Sequence, residues 1–342
     1  MYDLIIVTHI PNFYKINLYN KLSKNKKIFV IFIATNTNEK RANDFIDIDK
    51  AEFDYTVLYK GYYESRDIRT NIIKLKALLK QNNYKRLLVS GWNSKEYWYC
   101  IFANKKTKNC LALESTIYES NTKGIKGFMK KIFLSRISIV FASGTLHKCL
   151  LEQLNYKGEV KITKGVGIIN KPNYNLIKKH YKKRFIFIGR LSEVKNINML
   201  VDLFNHLEEY MLTIIGSGPL EKELKDKAKS NIVFKGQIAN EKLDAYFENN
   251  DILILPSISE TWGLVVEEAI YFGMPVIVSS NCGVSELVKD GVNGYLIDLR
   301  NPNKLKDIIL GINDSVYQNL IDGVCKFSIN KKDLEQVALY DV

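Results

Sequence analysis

The sequence predicts an α/β protein built as two doubly wound, Rossmann-like domains. Three observations carry this. Short β-rich runs alternate with helix-period segments along the chain, the pattern of parallel sheets covered by helices on both faces. The alternation stops at a polar stretch around 169–184, which contains Pro172, and then restarts. A length of 342 residues suits two domains of roughly 100–200 residues each.

In the first half the β-rich runs fall at 4–8, 28–34, 55–59, 86–89, 110–113, 139–142 and 160–163. Helix-period segments lie between them at 16–23, 68–79, 94–104, 125–134 and 145–154. The stretch from 169 to 184, with Lys178, Lys179, Lys182, Lys183 and Arg184, reads as the linker. Strands then follow at 185–188, 211–215, 232–234, 252–255, 276–278 and 295–297. Helices are expected at 197–207, 220–229, 241–248, 262–272, 284–288 and 304–310. The domains are therefore 1–172 and 173–330. A last helix, within 331–342, either stays with the second domain or crosses back to the first. No sequence repeat relates the halves.

Hydrophobic residues make up 46% of the chain and aromatic residues 11%, enough for two packed cores. The net charge of +13 is unevenly spread. Residues 1–172 carry 30 Lys and Arg against 14 Asp and Glu; residues 173–342 carry 20 against 23. The basic excess belongs to the first half, which points to an anionic surface or partner for that domain alone. The five cysteines include no C-x-x-C pair, so neither a disulfide framework nor a zinc site is expected, and a reducing cytoplasm fits. The N-terminus lacks the basic region of a signal peptide, and no run approaches the roughly 20 apolar residues of a membrane span. Any membrane contact is expected to be peripheral.

The chemistry concentrates in the second half. Glu260 and Glu268 stand eight positions apart around Gly263, directly after the strand at 252–255. In an open α/β sheet ligands bind beyond the carboxyl ends of the strands, and acids there suit a ligand rich in hydroxyls, read here as a nucleotide-activated sugar. After the strand at 185–188 come Gly189, Arg190, Lys195 and Asn196. Arginine clamps phosphate oxygens bidentately and lysine adds a mobile charge; Asn196 is placed to cap the next helix. Gly216-Ser-Gly218 either lets backbone N–H groups approach an anion or is an ordinary βα turn. The loop holding Gly236 and Ile238 offers backbone groups to a nucleobase edge.

Taken in order, Gly189-Arg190, Lys195-Asn196, Gly216-Ser-Gly218, Glu260, Glu268, Gly273-Met-Pro275 and Asp290-Gly291-Val-Asn-Gly294 resemble the C-terminal domain of family 4 retaining glycosyltransferases. The resemblance covers about residues 184–300. It implies the GT-B fold, in which two Rossmann-like domains face a central cleft. It further implies that Glu268 binds the ribose hydroxyls, that Glu260 contacts the donor sugar, and that Arg190 and Lys195 stabilise the leaving diphosphate. By the same likeness the backbone of Gly263, Leu264 and Val265 lies close to phosphate and sugar. Glu267 is expected to be a solvated or supporting acid, because adjacent helical residues point about 100° apart.

The first half departs from that family. Its first βα loop holds His9, Pro11 and Asn12 where paired glycines are usual, and it is expected to face the acceptor. Glu114, after the strand at 110–113, takes the place of a frequent family histidine; it either contacts the sugar, acts on the acceptor, or is a loop acid without a role. Trp92 is a candidate stacking platform for an acceptor sugar. His9 and His147 have no spacing partners and read as structural histidines, with His9 also facing the acceptor side. Asp47-Ile48-Asp49 has the form of a metal-binding D-x-D, but its surroundings read as a solvated acidic loop, so no metal is expected.

Residues 123–136 interleave Lys123, Lys126, Lys130 and Lys131 with Ile125, Phe128, Met129, Ile132 and Phe133. As a helix this is either a core helix with a charged outer face or an amphipathic face for anionic lipid. No nucleic-acid signature accompanies the charge. The expected activity is transfer of a hexosyl or N-acetylhexosaminyl group, with retention, from a nucleotide sugar, UDP-linked, to a lipid-linked saccharide. The setting is O-antigen or capsule synthesis at the inner membrane surface. A sugar-nucleotide epimerase, a transferase with a soluble acceptor and a non-catalytic saccharide binder share the same features.

Overall fold

The computed structural model describes residues 1–39, 41–174, 180–301 and 303–341. Lys178 and Lys179 of the expected linker lie outside the described residues. The chain forms two compact units, one of residues 1–168 with the chain end from Asp333, the other of Ile169–Lys332.

The first unit contains a seven-stranded parallel sheet: β1 (Tyr2–Thr8), β2 (Ile28–Asn36), β3 (Asp54–Tyr62), β4 (Tyr84–Val89), β5 (Asn109–Leu113), β6 (Ile139–Ala142) and β7 (Glu159–Ile162). The order is β3-β2-β1-β4-β5-β6-β7. Helices α1 (Phe13–Ser23), α2 (Ile68–Gln81), α3 (Lys95–Phe102), α4 (Gly124–Ser135) and α5 (Thr145–Gln153) connect the strands. Side chains of a strand alternate between faces, so Ile5 and Val7 enter one core while Leu4 and Ile6 enter the other. Inner strands covered on both sides have no solvent face, which is why β1, β2 and β5 read as nearly unbroken apolar runs, whereas the edge strands β3 and β7 are partly exposed.

The second unit repeats the plan with β8 (Arg184–Ile188), β9 (Met211–Ile215), β10 (Ile232–Gly236), β11 (Ile252–Leu255), β12 (Val276–Ser279) and β13 (Gly294–Ile297), in the order β10-β9-β8-β11-β12-β13. Its helices are α6 (Ile197–Phe204), α7 (Glu221–Lys227), α8 (Asp244–Asn249), α9 (Leu264–Tyr271), α10 (Lys304–Gly311), α11 (Asp314–Cys325) and the start of α12 (Ile329–Leu339). All thirteen strands read from the sequence are present, several extended by one to four residues.

Some helices differ from expectation. Residues 283–287 form a 3₁₀ turn rather than an α-helix. The helix expected from 241 begins at Asp244, after a 3₁₀ turn over Asn240–Lys242. Helix α11 was not anticipated; Asn313 starts it by accepting a bond from the Val316 N–H.

The chain end is held in the first unit by three kinds of contact. The Tyr340 ring, 5% exposed, stacks on Phe141 at 4.3 Å. Gln336 Nε2 donates to the Gly165 carbonyl at 3.2 Å, and Lys161 Nζ donates to the Leu339 carbonyl at 3.1 Å. Truncating a buried aromatic side chain costs about 3 kcal/mol or more. Tyr340→Ala should therefore lower the melting temperature of the first unit by about 6 °C or more, measured by calorimetry.

Candidate active site

In each sheet the first strand lies in the middle, so the chain runs outward in one direction and then reverses. In the second unit the reversal falls between β8 and β11. Loops leaving neighbouring strands at such a point diverge to opposite faces and open a crevice at the carboxyl ends.

Both crevice loops are fixed by backbone bonds. After β8 the Gly189 N–H donates to the Ile215 carbonyl at 2.9 Å. Glu193–Lys195 form a 3₁₀ turn and Asn196 follows in the left-handed conformation, φ 55°. Asn196 precedes α6 as expected, yet its side chain does not cap the helix. Its amide donates instead to the Pro256 carbonyl at 3.3 Å, and the Ile258 N–H donates to the Val194 carbonyl at 2.8 Å. The loop after β8 is thus pinned to the loop after β11. As a result the Lys195 ammonium and the Glu260 carboxylate form an ion pair, with side chains 18% and 15% exposed. Arg190 is exposed on the same loop as Lys195.

Glu260 is held from the other side by β12 and its loop. Its carbonyl accepts the Gly283 N–H at 3.0 Å, and the Trp262 carbonyl accepts the Val284 N–H at 3.0 Å. Gly263 takes φ 108°, and a Cβ there would meet the Leu255 side chain at 2.9 Å. Helix α9 then starts at Leu264 without a side-chain cap, and the half-buried Leu264 and Val265 stand at the positive end of its dipole. Four residues on, Glu268 is 6% exposed and accepts from Asn240 Nδ2 at 2.7 Å; Asn240 Oδ1 in turn accepts from Asn170 at 2.9 Å.

Of the two expectations for Glu267, solvated or supporting, the solvated one is corrected. The residue is neither solvated nor at the surface but 0% exposed, bonded to the Trp262 indole at 2.5 Å and to the Lys332 ammonium at 2.6 Å.

The glycines at 216 and 218 have a packing reason. A Cβ on Gly216 would stand 1.9 Å from the Gly189 carbonyl oxygen, and one on Gly218 would stand 2.3 Å from that of Leu191. The Gly216 N–H donates to the Gly236 carbonyl at 2.8 Å, so the loops after β8, β9 and β10 stack backbone on backbone. Gly236, φ 68°, faces open space, and Ile238 is half-buried beside it.

In the first unit the reversal lies between β1 and β4. His9, just past β1, packs its ring against Tyr63 at 4.7 Å and Tyr97 at 5.3 Å. Tyr63 is held in turn by Arg66, whose guanidinium lies over its ring and pairs with the fully buried Glu96 at 2.7 Å. Burial lowers the His9 pKa to about 4. Pro11 and Asn12 are buried, and the Asn12 side chain caps α1 by accepting the Lys15 N–H at 3.2 Å. Trp92 is half-buried; its carbonyl accepts the Trp98 indole N–H at 2.9 Å, and Lys130 stands over its ring at 5.3 Å.

Glu114 has a partner that the sequence reading missed. The buried Lys15 ammonium bonds to its carboxylate, and His147 Nε2 donates to its backbone carbonyl at 3.0 Å. Burial works against the Lys15 charge, but the Glu114 carboxylate outweighs it and raises the lysine above its ordinary pKa. One signal was available: Lys15 sits in the buried stripe of α1 with Tyr19 and Leu22, at the i, i+4, i+7 spacing of an apolar face. Asp47, from the D-x-D, is instead paired with Lys50 at 2.6 Å.

Comparison with known proteins adds a family. Residues 172–315 match the family described as glycosyl transferases group 1. An uncharacterized 41.2 kDa protein in the cps region of Klebsiella pneumoniae is 28% identical over 220 residues, 64% of this chain and 56% of that one. The alignment thus spans little more than half of that relative. Sucrose-phosphate synthase from Thermosynechococcus elongatus has a similar structure, with a TM-score of 0.75 at 16% identity over 99% of this chain and 98% of that one. Anabaena HepE in complex with UDP and glucose follows at 0.71 and 16%, covering 98% of each chain. Identities this low establish the fold alone, which is GT-B.

Two outcomes test this geometry. Gly216→Ala should lower stability by about 2 kcal/mol or more, because the strained φ and the backbone overlap both oppose a methyl group; urea unfolding measures it. His9 binds its proton more weakly folded than unfolded, so stability falls as pH drops from about 6.5 to about 4. His9→Gln should flatten that part of the acid-unfolding profile.

Proposed function

With residues 172–315 a member of the group 1 glycosyl transferases and the whole chain a GT-B fold, we propose that this protein transfers a hexosyl or N-acetylhexosaminyl group. The donor is a nucleotide sugar, taken as UDP-linked, and the anomeric configuration is retained. The acceptor is a hydroxyl of a lipid-linked saccharide in surface polysaccharide synthesis, either O-antigen or capsule. The observation that carries the reading is the meeting of Lys195 with Glu260 at the strand-order reversal, with Arg190 on the same loop.

In this reading the ion pair is the resting state of the donor site. The incoming diphosphate takes over the Lys195 ammonium and draws in Arg190, which frees Glu260 for the sugar hydroxyls. Glu268 accepts from the ribose diol, Gly236 and Ile238 border the base, and Leu264 and Val265 turn their helix N-terminus toward phosphate. The bond from the anomeric carbon to the phosphate oxygen breaks, and its electron pair stays on the diphosphate. The acceptor oxygen bonds to that carbon from the same face, and its proton passes to the departing phosphate oxygen. Two cations stabilise the charge that develops. On the acceptor side, His9, Trp92 and Glu114 surround the carboxyl ends of β1, β4 and β5, with Lys15 holding Glu114 in place.

Support for a membrane-borne acceptor comes from α4. Ile125, Phe128 and Met129 are 83%, 63% and 42% exposed among Lys123, Lys126 and Lys131. Apolar groups flanked by lysines fit the interface of an anionic bilayer, and the Klebsiella relative in a cps region is consistent with the pathway. No helix among the described residues is long and apolar enough to cross a membrane.

Lys195→Ala and Glu260→Ala should each lower kcat roughly 10²–10³-fold while circular dichroism stays unchanged. Wild-type turnover in either variant excludes the mechanism. The protein should sediment with vesicles containing anionic lipid and stay in solution with zwitterionic ones. Binding should weaken in Ile125→Ser/Phe128→Ser and at about 1 M salt, where the screening length is about 3 Å.

A further inference from the structure

We propose that Glu267 is the positioning residue of the donor site: a buried carboxylate that, through Trp262 and Lys332, sets where Glu260 and Glu268 stand. The inference rests on the donor-site reading above and assigns a residue outside its contacts.

The position is an improbable one for a charge. Val266, Ala269 and Ile270 around Glu267 on α9 are all buried, and a fourth apolar side chain would avoid the cost of desolvating two ions. Glu267 nevertheless reaches complete burial with both oxygens engaged, one by the Trp262 indole N–H and one by Lys332, itself 3% exposed. All three side chains are buried, at most 3% exposed, so their contribution is to geometry rather than to ligand contact.

That geometry covers both acids. Trp262 lies two residues after Glu260, within the turn whose carbonyls bind the N–H groups of Gly283 and Val284. The indole bond to Glu267 fastens this turn to α9. Glu268 is the next residue on the helix, about 100° round, so the rotation that buries Glu267 is the one that aims Glu268 at Asn240. Lys332, 65 positions away, is the last residue of the second unit. It provides a fixed point on α12 from which the rotation of α9 is set. An apolar residue at 267 would fill the space without specifying either direction.

The experiment separates geometry from stability with two paired substitutions, Glu267→Leu/Lys332→Met and Glu267→Gln/Lys332→Met. Both remove the buried charges together, so neither leaves an unpaired ion. The glutamine pair keeps an acceptor for the indole and the leucine pair does not. UDP and UDP-glucose serve as calorimetric probes beside donor and acceptor KM. The leucine pair should fold with a melting temperature near wild type yet bind UDP-glucose at least tenfold more weakly. Its donor KM should rise in proportion and its acceptor KM should not change. The glutamine pair should recover most of the loss. Trp262→Phe, which removes the indole N–H together with part of the ring and keeps the site apolar, should reproduce the donor defect and serves should the leucine pair fail to fold. A leucine pair or a Trp262→Phe variant with wild-type donor affinity overturns the proposal. Wild-type protein that binds neither probe overturns the donor-site reading, and the proposal with it.

Discussion

The reversal of strand order between β8 and β11 is the constraint on which the site depends. Strands on either side of it send their helices to opposite faces, so only there do two loops border an open crevice. The bonds from the Asn196 side-chain amide to the Pro256 carbonyl and from the Ile258 N–H to the Val194 carbonyl tie the two loops together. They bring together Lys195 and Glu260, which are 65 positions apart. The first unit has the same reversal between β1 and β4, and its unusual loop, from His9 to Asn12, stands beside it.

A second regularity is that four of the acids at or behind these crevices come with a cation. Glu260 is paired with Lys195, Glu267 with Lys332, Glu114 with Lys15 and Glu96 with Arg66. A carboxylate withdrawn from water needs a counter-charge or several hydrogen bonds. The pairs differ in exposure, and so in what they can do. Lys332 and Glu267 are sealed in and fix geometry. Lys195 and Glu260 are partly open to solvent, which is what the proposed exchange with a charged, hydroxyl-rich donor requires. Lys15 and Glu114 lie between, with a buried ammonium holding a carboxylate that is 30% exposed.

The basic excess of the first half has a structural expression as well. On α4, Phe133 and Leu134 go into the core while Ile125, Phe128 and Met129 stay outside among lysines. The helix thus has two apolar sectors, one spent on the fold and one left over. Gly127 allows this arrangement: a Cβ there would overlap the Thr122 carbonyl oxygen at 2.0 Å, so the preceding loop folds back against the first turn.

What the sequence determined by itself was whatever depends on neighbours along the chain. Strands buried on both faces are apolar throughout, and helices repeat with their own period, so the two α/β units could be read directly. Helix α11 escaped although its buried Tyr317, Leu320 and Val324 stand at i, i+3 and i+7; the turn at 283–287 escaped because five residues show too little of any period. The motif glycines and charges were legible as a set, since most of them follow a strand end. Only the tertiary structure decided the partners. Glu267 was open between a solvated and a supporting acid until an indole five positions earlier and a lysine 65 positions later enclosed it. Lys15 gave no hint of its partner until the fold brought Glu114, 99 positions on, to meet it. Local pattern follows from backbone period and burial, whereas pairing follows from which distant charges the packed chain removes from water together.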